Sequence, residues 1–583
     1  MCGITGKINF NNKIVKKSEI QRMLKEIKHR GPDGEGIYVE NNIGMGHVLL
    51  KIQDISDNSK QPFFYKNLCL VYNGEIYNYK QLKRTLKAKG YSFETTGDTE
   101  ILIKIIDYYG LEKALKKVEG CFAFALYNKD KKTTILVRDR FGIKPLYYYR
   151  DNNRLIYSSE IKGILTDERV PKLFNLEKVL ISFNCKLWLD NETTFFKNIN
   201  AITPGHYLVI DENYEIKDVE YYKLKFNEKY DNPDKLIDDF GKEFEKSVKK
   251  KLISKVPIAA FLSGGLDSSI VCKLLNNYSK QKLNTYTICY DFDDDLDLNH
   301  ATELSNREDF EQHNILISEE MYNLDNIDKV TYGVEEILID KVYIPMYFNY
   351  KAAKDDGFTV VVSGQGSDEV WLGYVFTWKI FKYLKERYNK ETLIKDYYID
   401  NMLFKKKLNK ECDKMIPIIM KNYLDNFLVE TKDELNSYAD LSLKTILHDL
   451  LVQEDKIAMM SSVESRVPFV DDHKIVELAY KASSQIKLFD GREKYIVRKY
   501  CKGKINDSIV EREKYPFPEP PKIYNNFVTK LCEEHWDKIK KSKIVNKVIN
   551  KKELESVSNF TEMEQWWLLV YWRFETVFNM EVE

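Results

Sequence analysis

Residues 258–269 read IAAFLSGGLDSS and decide the fold of the second half of the chain. An apolar run typical of a buried strand ends at Leu262, two glycines follow, and a helical pattern begins near Leu266. Glycines permit a sharp turn that presents main-chain N–H groups, and the N-terminus of a helix adds positive potential. The stretch therefore predicts an anion-binding loop after a strand, in preference to a serine-capped helix without a ligand.

Two further apolar runs, residues 285–290 (TYTICY) and 358–362 (FTVVV), alternate with helical patterns in the same half of the chain. This alternation is typical of an α/β doubly wound parallel sheet. The second run leads directly into residues 363–369 (SGQGSDE), another glycine-rich loop. Because α/β sheets bind ligands at the carboxyl ends of their strands, we expect the two loops to lie together, with Asp267 and Asp368 holding one Mg²⁺.

The chain before residue 210 has a different pattern. Short alternating or β-branched runs, such as residues 68–72 (LCLVY) and 122–127 (FAFALY), are each followed by a turn signal. This rhythm predicts antiparallel sheets, interrupted by helices over residues 18–28 and 98–109.

These patterns divide the chain into two domains. We expect the first to span residues 2–210 and the second residues 235–583, with the polar stretch 211–234 as the linker. Beyond about Trp378 the second domain is mostly helical and rich in lysine.

Composition excludes several classes of protein. The 583 residues include 90 basic and 90 acidic side chains, so the net charge, 90 − 90, is zero. This balance argues against a nucleic-acid partner held by bulk positive charge. No apolar run approaches the about 18 residues of a membrane span, and the first residues lack the apolar run of a signal peptide. Nine cysteines without a Cys-x-x-Cys pair indicate reduced thiols in a cytoplasmic protein.

A candidate nucleophile stands at the second position of the sequence. Removal of Met1 would give Cys2 a free α-amino group, which can act as the base for its own thiol. The Asn73 amide and the Gly74 N–H, on a glycine turn, are suited to form an oxyanion hole for attack on an amide. Asp98 is suited either to bind an ammonium group or to cap the helix that follows it, and the sequence leaves both open.

Nine motifs, taken in order, resemble those of a known family. Residues 2–4 (CGI), 29–33 (HRGPD), 73–78 (NGEIYN), 120–125 (GCFAFA) and 138–147 (RDRFGIKPLY) resemble class II glutamine amidotransferase domains. Residues 263–269, 363–369, 463–471 (VESRVPFVD) and 493–498 (EKYIVR) resemble a synthetase domain that cleaves ATP between its α and β phosphates. The chain resembles the glutamine-dependent asparagine synthetase family along nearly its whole length.

The resemblance implies a fold and a reaction. The fold is an α+β N-terminal-nucleophile sandwich, with antiparallel sheets between helices, followed by an α/β doubly wound ATP-pyrophosphatase domain with a helical C-terminal part. Glutamine is hydrolysed at Cys2, and the ammonia crosses a tunnel to a carboxylate, aspartate in the first place, that ATP converts to acyl-AMP with release of pyrophosphate. The product is then asparagine, the cofactors are ATP and Mg²⁺, and the partners are these small molecules.

The resemblance also implies roles for individual residues. The catalytic group is Cys2, Asn73, Gly74 and Gln365, and the glutamine site is Leu49, Lys51, Asn73, Gly74, Glu75 and Asp98. The ATP site is Leu262, Ser263, Gly264, Gly265, Asp267, Ser268, Ser269, Ile288, Ser363, Gly364, Lys456 and Lys494, with Asp267 and Asp368 as metal ligands. For Lys456 and Lys494, the alternative to an ATP-binding role is a place on a solvent-exposed face of a helix.

Three positions depart from the family pattern. The family has an arginine for the glutamine carboxylate where this chain has Leu49, and we hypothesise that Lys51, two residues along the same strand face, supplies the missing cation. Gln365 replaces a glutamate and cannot act as a base. Residues 371–374 read WLGY in place of FGGY.

These departures keep two alternatives open. One is a specialised paralogue that amidates another carboxylate, such as a sugar acid, a peptide or a natural-product precursor. The other is a binding or regulatory protein that has lost both chemistries, although Cys2, Asp267, Asp368 and Lys494 argue against it. The sequence leaves the acceptor and the oligomeric state undecided, a homodimer included.

Overall fold

The first half of the chain folds as two antiparallel sheets. The computed structural model describes residues 2–11, 13–183, 192–291, 296–374, 402–427, 433–513 and 526–583. The strands of this half are β1 (Cys2–Asn9), β2 (Gly34–Glu40), β3 (Ile43–Leu49), β4 (Phe63–Tyr65), β5 (Leu68–Ile76), β6 (Gly120–Asn128), β7 (Thr133–Arg138), β8 (Tyr147–Arg150), β9 (Arg154–Ser158), β10 (Ile199–Ala201), β11 (His206–Ile210) and β12 (Ile216–Glu220).

The two sheets pack face to face. One has the order β10-β8-β9-β1-β3-β2 and the other β12-β11-β7-β6-β5-β4. Because side chains alternate along a strand, Val71 and Ala123 point inward against Ile4 and Met45 of the facing sheet, whereas Tyr72 points outward into a second core. The alternating pattern of the sequence therefore reflects two apolar layers on opposite faces of one sheet.

Helices cover the outer faces of both sheets. They are α1 (Lys17–Glu26), α2 (Tyr79–Lys87), α3 (Thr99–Tyr109), α4 (Leu111–Lys117), α5 (Ile161–Ile164) and α6 (Leu176–Ser182). Helices α1 and α5 lie against the first sheet, and α2, α3 and α4 lie against the second. The prediction of antiparallel sheets between helices is confirmed, as are the two predicted helices, which are α1 and α3.

The second half contains a parallel sheet. Its strands are β13 (Ile258–Phe261), β14 (Asn284–Tyr290), β15 (Glu311–Ile317), β16 (Val360–Val362) and β17 (Glu464–Arg466), and their order is β15-β14-β13-β16-β17. All neighbouring pairs are parallel. From β13 the chain proceeds to one side and then returns to place β16 on the other side. The switch point between β13 and β16 is where such sheets bind ligands.

Helices pack on both faces of this sheet. The described helices of this half are α7 (Pro233–Lys250), α8 (Leu266–Tyr278), α9 (Leu296–Glu308), α10 (Leu324–Val334), α11 (Tyr343–Asp355), α12 (Ser367–Trp371), α13 (Lys410–Phe427), α14 (Glu434–Lys444), α15 (Ile446–Met460), α16 (His473–Ala479), α17 (Ser484–Lys487), α18 (Tyr495–Cys501), α19 (Asp507–Glu511), α20 (Asn526–Ile539), α21 (Lys543–Val548) and α22 (Glu562–Phe578). Ala259 and Val361 face a core with α10 and α11, whereas Ala260 and Val362 face a core with α7 and α8. The predicted doubly wound sheet is confirmed.

The predicted linker and the predicted helical region can be compared with the structure. The stretch 211–234, predicted to be a linker, contains strand β12, which pairs with β11, and the first residues of α7. The start of the predicted helical region, at Trp378, lies outside the described residues, but the described chain from Lys410 onward is mostly helical.

In the described part of the chain, none of the helices has the length and apolar character that would let it cross a bilayer. The eight cysteines found there are all buried.

The two glycine-rich loops contact each other through their main chains. A Cβ atom on Gly364 would lie 2.7 Å from the Ser268 nitrogen and 3.0 Å from the Asp267 carbonyl carbon. At Gly265, by contrast, the nearest atom to a Cβ would be the Ser263 Oγ at 3.4 Å.

We therefore expect Gly364→Ala to lower the free energy of unfolding by about 1–3 kcal/mol, the usual cost of overpacking, and Gly265→Ala to change it little. Thermal unfolding of both variants checks this. Equal midpoints would contradict the close approach of the loops.

Candidate active sites

The first site is built around Cys2, the first residue of β1. Its main-chain nitrogen, which becomes the α-amino group if Met1 is removed, donates a hydrogen bond to the Asn73 Oδ1 at 2.9 Å. The Asn73 Nδ2 is buried and has no partner among the described atoms. The Asn73 Oδ1 therefore orients the main-chain nitrogen of Cys2, and the Asn73 Nδ2 can still donate a hydrogen bond to a ligand.

Strand β5 passes close to β6 beside Asn73. A Cβ atom on Gly74 would lie 2.3 Å from the Cys121 carbonyl oxygen. This position therefore requires glycine, which explains the NG pair at the end of the β5 pattern.

A cavity opens next to Cys2. Its lining residues are Cys2, Leu49, Leu50, Ile52, Gln53, Asp54, Ser59, Gln61, Phe63, Tyr72, Gly74, Glu75, Thr95, Gly97, Asp98 and Thr99. Of the predicted glutamine site, the structure brings Leu49, Gly74, Glu75 and Asp98 to this wall.

Two buried carboxyl groups belong to the cavity. Asp98 accepts hydrogen bonds from the Tyr72 hydroxyl and the Ile76 N–H, each at 2.8 Å. Burial raises the pKa of Asp98, although these hydrogen bonds oppose the shift. Burial also raises the pKa of Glu75 well above its usual range, and Glu464 adds to this effect; the Gln53 amide donates a hydrogen bond to the Glu75 carboxyl. Asp98 makes no capping hydrogen bond to α3, so the capping alternative is wrong.

The premise behind the Lys51 hypothesis is also wrong. Strand β3 ends at Leu49, so its two-residue alternation does not extend to Lys51, and Lys51 is not among the residues that line the cavity. Its N–H donates to the Asp33 carboxylate at 2.8 Å. The chain turns after Leu49 and places Leu50 and Ile52 on the wall instead.

A buried arginine links Cys2 to the second half of the chain. The Arg30 Nε donates to the Cys2 carbonyl oxygen at 3.1 Å, and its two terminal nitrogens donate to Glu160 at 2.9 Å and to Asp455 at 2.7 Å. Asp455, on α15, also pairs with Lys144 at 3.2 Å. The motif HRGPD marked Arg30, but its partner is 425 residues away in sequence.

The second site lies at the switch point of the parallel sheet. The loops after β13 and β16 bring Ser263, Asp267 and Ser268 close to Ser363 and Gly364, as predicted from their places in the sheet. Leu262 and Ile288 lie on the adjoining strand ends; Gly264, Gly265 and Ser269 complete the first loop and the first turn of α8.

A lysine lies between the two acidic residues of this site. The Lys494 Nζ is 2.6 Å from the Asp267 Oδ2 and 2.6 Å from the Asp368 Oδ1. Burial disfavours its charged form, but the two carboxylates outweigh burial and raise the pKa of Lys494. The two aspartates thus converge on the Lys494 ammonium, and the metal expected between them stays a prediction.

Lys456 lies elsewhere. It is fully buried on α15, where its Nζ donates to the Val334 carbonyl oxygen at 2.8 Å and pairs with Glu335 at 3.0 Å. Both lysines are buried, so the alternative prediction of a solvent-exposed helix face is wrong for Lys456 and Lys494 alike.

Models of known families match both halves of the chain. Residues 1–222 match the glutamine amidotransferase domain, and residues 239–579 match asparagine synthase. The chain belongs to the asparagine synthase family. The matched pair of domains fits ATP-dependent amidation.

Relatives of this family are similar over most of their length. Glutamine-hydrolysing asparagine synthetase 1 of Bacillus subtilis is 29% identical over 89% of this chain and 87% of its own. Glutamine-hydrolysing asparagine synthetase 3 of the same organism is 27% identical over 96% and 93%. The amidase chyE of Penicillium rubens is 26% identical over 90% and 89%.

Sequence reasoning missed one acidic residue of the synthetase half. Glu454, on α15, accepts hydrogen bonds from the Ser465 hydroxyl at 2.6 Å and the Tyr350 hydroxyl at 2.9 Å. Ser363 of the second loop also hydrogen-bonds to it, and burial raises its pKa. The half-buried Gln365 follows in the same loop, with its N–H 3.4 Å from the Ser363 Oγ. In sequence Glu454 looks like one more charge on a charged helix, and only its neighbours distinguish it.

The Arg30 contacts give a test of the connection between the halves. Removing one partner of a buried ion pair typically costs about 3–5 kcal/mol, whereas an exposed pair is worth about 1 kcal/mol or less. We expect Arg30→Met to lower the midpoint of thermal unfolding strongly. The matched control is Lys66→Met, which removes a pair with Asp107 in which the lysine is 57% exposed. Equal effects of the two substitutions would argue that Arg30 does not hold the halves together.

Proposed function

We propose that this chain is a glutamine-hydrolysing, amide-forming ligase that uses ATP to activate a carboxylate, with aspartate as the acceptor and asparagine as the product. The observation that carries the proposal is the juxtaposition along α15. Asp455 connects through Arg30 to the Cys2 carbonyl, and the adjacent Glu454 contacts the loop after β16. One helix thus joins an amide-hydrolysing centre to a nucleotide loop.

The first half has the groups needed to release ammonia. Burial raises the pKa of the Cys2 thiol, so the thiol needs a base, and the α-amino group that Met1 removal exposes can take its proton. The thiolate attacks the side-chain amide carbon, the Asn73 Nδ2 is placed to stabilise the oxyanion, and ammonia leaves. Water then hydrolyses the thioester and restores Cys2.

The second half has the groups needed to bind Mg-ATP. The Asp267 Oδ1 is buried without a partner among the described atoms, and both Asp267 and Asp368 already contact one cation, the Lys494 ammonium. Carboxylate oxygens are the ligands that Mg²⁺ prefers, so these side chains fit the metal. Asp267 and Asp368 would hold the metal, whose charge would offset that of the phosphates, and Lys494 would then be available to pair with the departing pyrophosphate.

Adenylation needs no general base, because the attacking carboxylate is already ionised. A base serves the later step, in which ammonia attacks the acyl-AMP and loses a proton. Gln365 cannot take that proton, whereas Glu454 is a carboxyl group in contact with the same loop. We infer that Glu454 contributes to this step.

A second acceptor class has an observation in its favour. Gln365 and residues 371–374 (WLGY) depart from the family pattern in and just after the loop that the resemblance links to acyl-AMP formation, so a carboxylic acid other than aspartate is the second candidate. Pyrophosphate release with aspartate, sugar acids and peptide acids, each with ammonium chloride as the nitrogen source, decides between them. Release with none of these acids would favour the binding or regulatory alternative.

We expect Cys2→Ala to abolish glutamine hydrolysis and to leave ammonia-dependent synthesis measurable, because the thiol is needed only for the first reaction. Cys69→Ala is the matched control, since Cys69 is buried in the core between the sheets, away from the cavity lining. Ammonia release and pyrophosphate release are measured in parallel. Loss of both activities in Cys2→Ala would contradict separate centres.

We expect Asp267→Asn to slow pyrophosphate formation at least about 100-fold, because it removes a charge that supports both the metal and Lys494. Asp309→Asn is the control, since that side chain is 86% exposed and pairs only with Lys282 among the contacts of the described chain. An unchanged rate in Asp267→Asn would show that the metal assignment is wrong.

A further inference from the structure

The ionisable groups on the wall of the cavity next to Cys2 are acidic. Its ionisable lining residues, apart from Cys2 and Tyr72, are Asp54, Glu75 and Asp98. Within the described residues, neither a lysine nor an arginine lines the cavity.

Two buried guanidinium groups lie near the cavity, but neither lines it. Arg30 pairs with Glu160 and Asp455, and it could serve a ligand only by abandoning a buried carboxylate, which is costly. Arg466 pairs with Glu464 at 2.6 Å and donates to the Lys251 carbonyl oxygen at 2.6 Å. Its Nη2 has no hydrogen-bond partner among the described atoms and is 3.9 Å from the Glu75 carboxyl, so Glu75 lies nearest to that donor.

The rest of the wall is apolar where Leu49, Leu50, Ile52 and Phe63 meet. A free amino acid brings both an ammonium and a carboxylate into such a cavity. Glu75 and Asp98 suit the ammonium, but the carboxylate would be desolvated against alkyl groups on a wall that has neither a lysine nor an arginine among the described residues. A neutral amide or ester group at the same place avoids that cost.

An unused acceptor points to the same kind of ligand. The Gln53 Oε1 is buried and has no partner among the described atoms, whereas its Nε2 is used by Glu75. Gln53 lines the cavity and is only 8% exposed. A carboxylate has no hydrogen to offer this oxygen, whereas the N–H of a peptide bond does, as do the ammonium and the side-chain amide of the same residue.

We propose that the amide donor at Cys2 is a glutamine residue with a free α-amino group and a blocked α-carboxyl group, such as the N-terminal glutamine of a peptide. This inference rests on the proposed amide hydrolysis at Cys2. The thiolate bonds to the side-chain carbonyl carbon, the C–N bond breaks, and the thiol proton leaves with the nitrogen as NH₃. Water then cleaves the thioester, which yields an N-terminal glutamate residue and the free thiol.

The test compares three donors with the purified full-length protein. Ammonia release is measured with L-glutamine, with the dipeptide glutaminyl-glycine and with N-acetylglutamine, which keeps the carboxylate and lacks the ammonium. We expect kcat/KM for glutaminyl-glycine to exceed that for L-glutamine at least about tenfold, a difference of about 1.4 kcal/mol, and N-acetylglutamine to be the poorest. A value for L-glutamine equal to or above that for the dipeptide would overturn the inference.

A charge substitution tests whether the donor preference arises because the cavity wall lacks a cation for the glutamine carboxylate. Leu49→Arg places a cation on the apolar part of the wall, and we expect it to raise kcat/KM for L-glutamine at least about tenfold relative to the dipeptide. Ile55→Arg adds the same charge at a side chain that is 54% exposed and absent from the cavity lining, and should not change the preference. An unchanged preference in a folded Leu49→Arg variant would overturn the inference, and the comparison of donors with the unmodified protein decides the matter if that variant does not fold.

Ammonium chloride as the nitrogen source separates this inference from the proposed function. If L-glutamine is the better donor and synthesis proceeds, the proposed ligase stands and the inference is wrong. If no donor is hydrolysed, the inference and the glutaminase half are both wrong, while ammonia-dependent pyrophosphate release still reports on the synthetase half.

Discussion

The arrangement of the two halves depends on the buried guanidinium of Arg30. It contacts the main chain of the candidate nucleophile on one side and the Asp455 carboxylate of α15 on the other. Buried charges are costly unless each has its partner, so this contact stabilises one relative placement of the halves over any other. Neighbouring pairs act in the same sense, since Lys144 also meets Asp455 and Lys162 meets Glu335 across the same boundary. The two centres are therefore positioned by charge as well as by apolar packing.

Local signals made the strands and loops predictable. The apolar runs that end at Leu262 and Val362 are each followed by a serine and glycines. A buried strand followed by a glycine-rich turn is typical of a ligand-binding loop in an α/β sheet. The close approach of Gly364 to Ser268 then follows from the pairing of β13 with β16. In the same way, the alternation of β5 predicted a strand with two packed faces, and its NG pair marked the position where β6 lies too close for a side chain.

Contacts between distant segments were not predictable. Asp98 precedes a helix and has the residue type of a cap, but the Tyr72 hydroxyl and the Ile76 N–H from β5 draw its carboxyl to the cavity instead. Lys51 continues the period of β3 in sequence, but the strand ends two residues earlier. Lys456 and Glu454 are ordinary helix residues in sequence, and only the elements packed around α15 determine what each one contacts. Sequence periodicity describes one segment at a time. These interactions join two or three distant segments, so periodicity does not predict them.

The contact between the two glycine-rich loops has a mechanical consequence. Because main chain lies directly on main chain at Gly364 and Ser268, close contact opposes any movement of one loop toward the other. Ser268 lies in the first turn of α8, so a displacement there is transmitted along that helix, and Ser363 passes the same displacement to Glu454. Because packed main chain is not freely deformable, a ligand that displaces one of these loops toward the other would displace both.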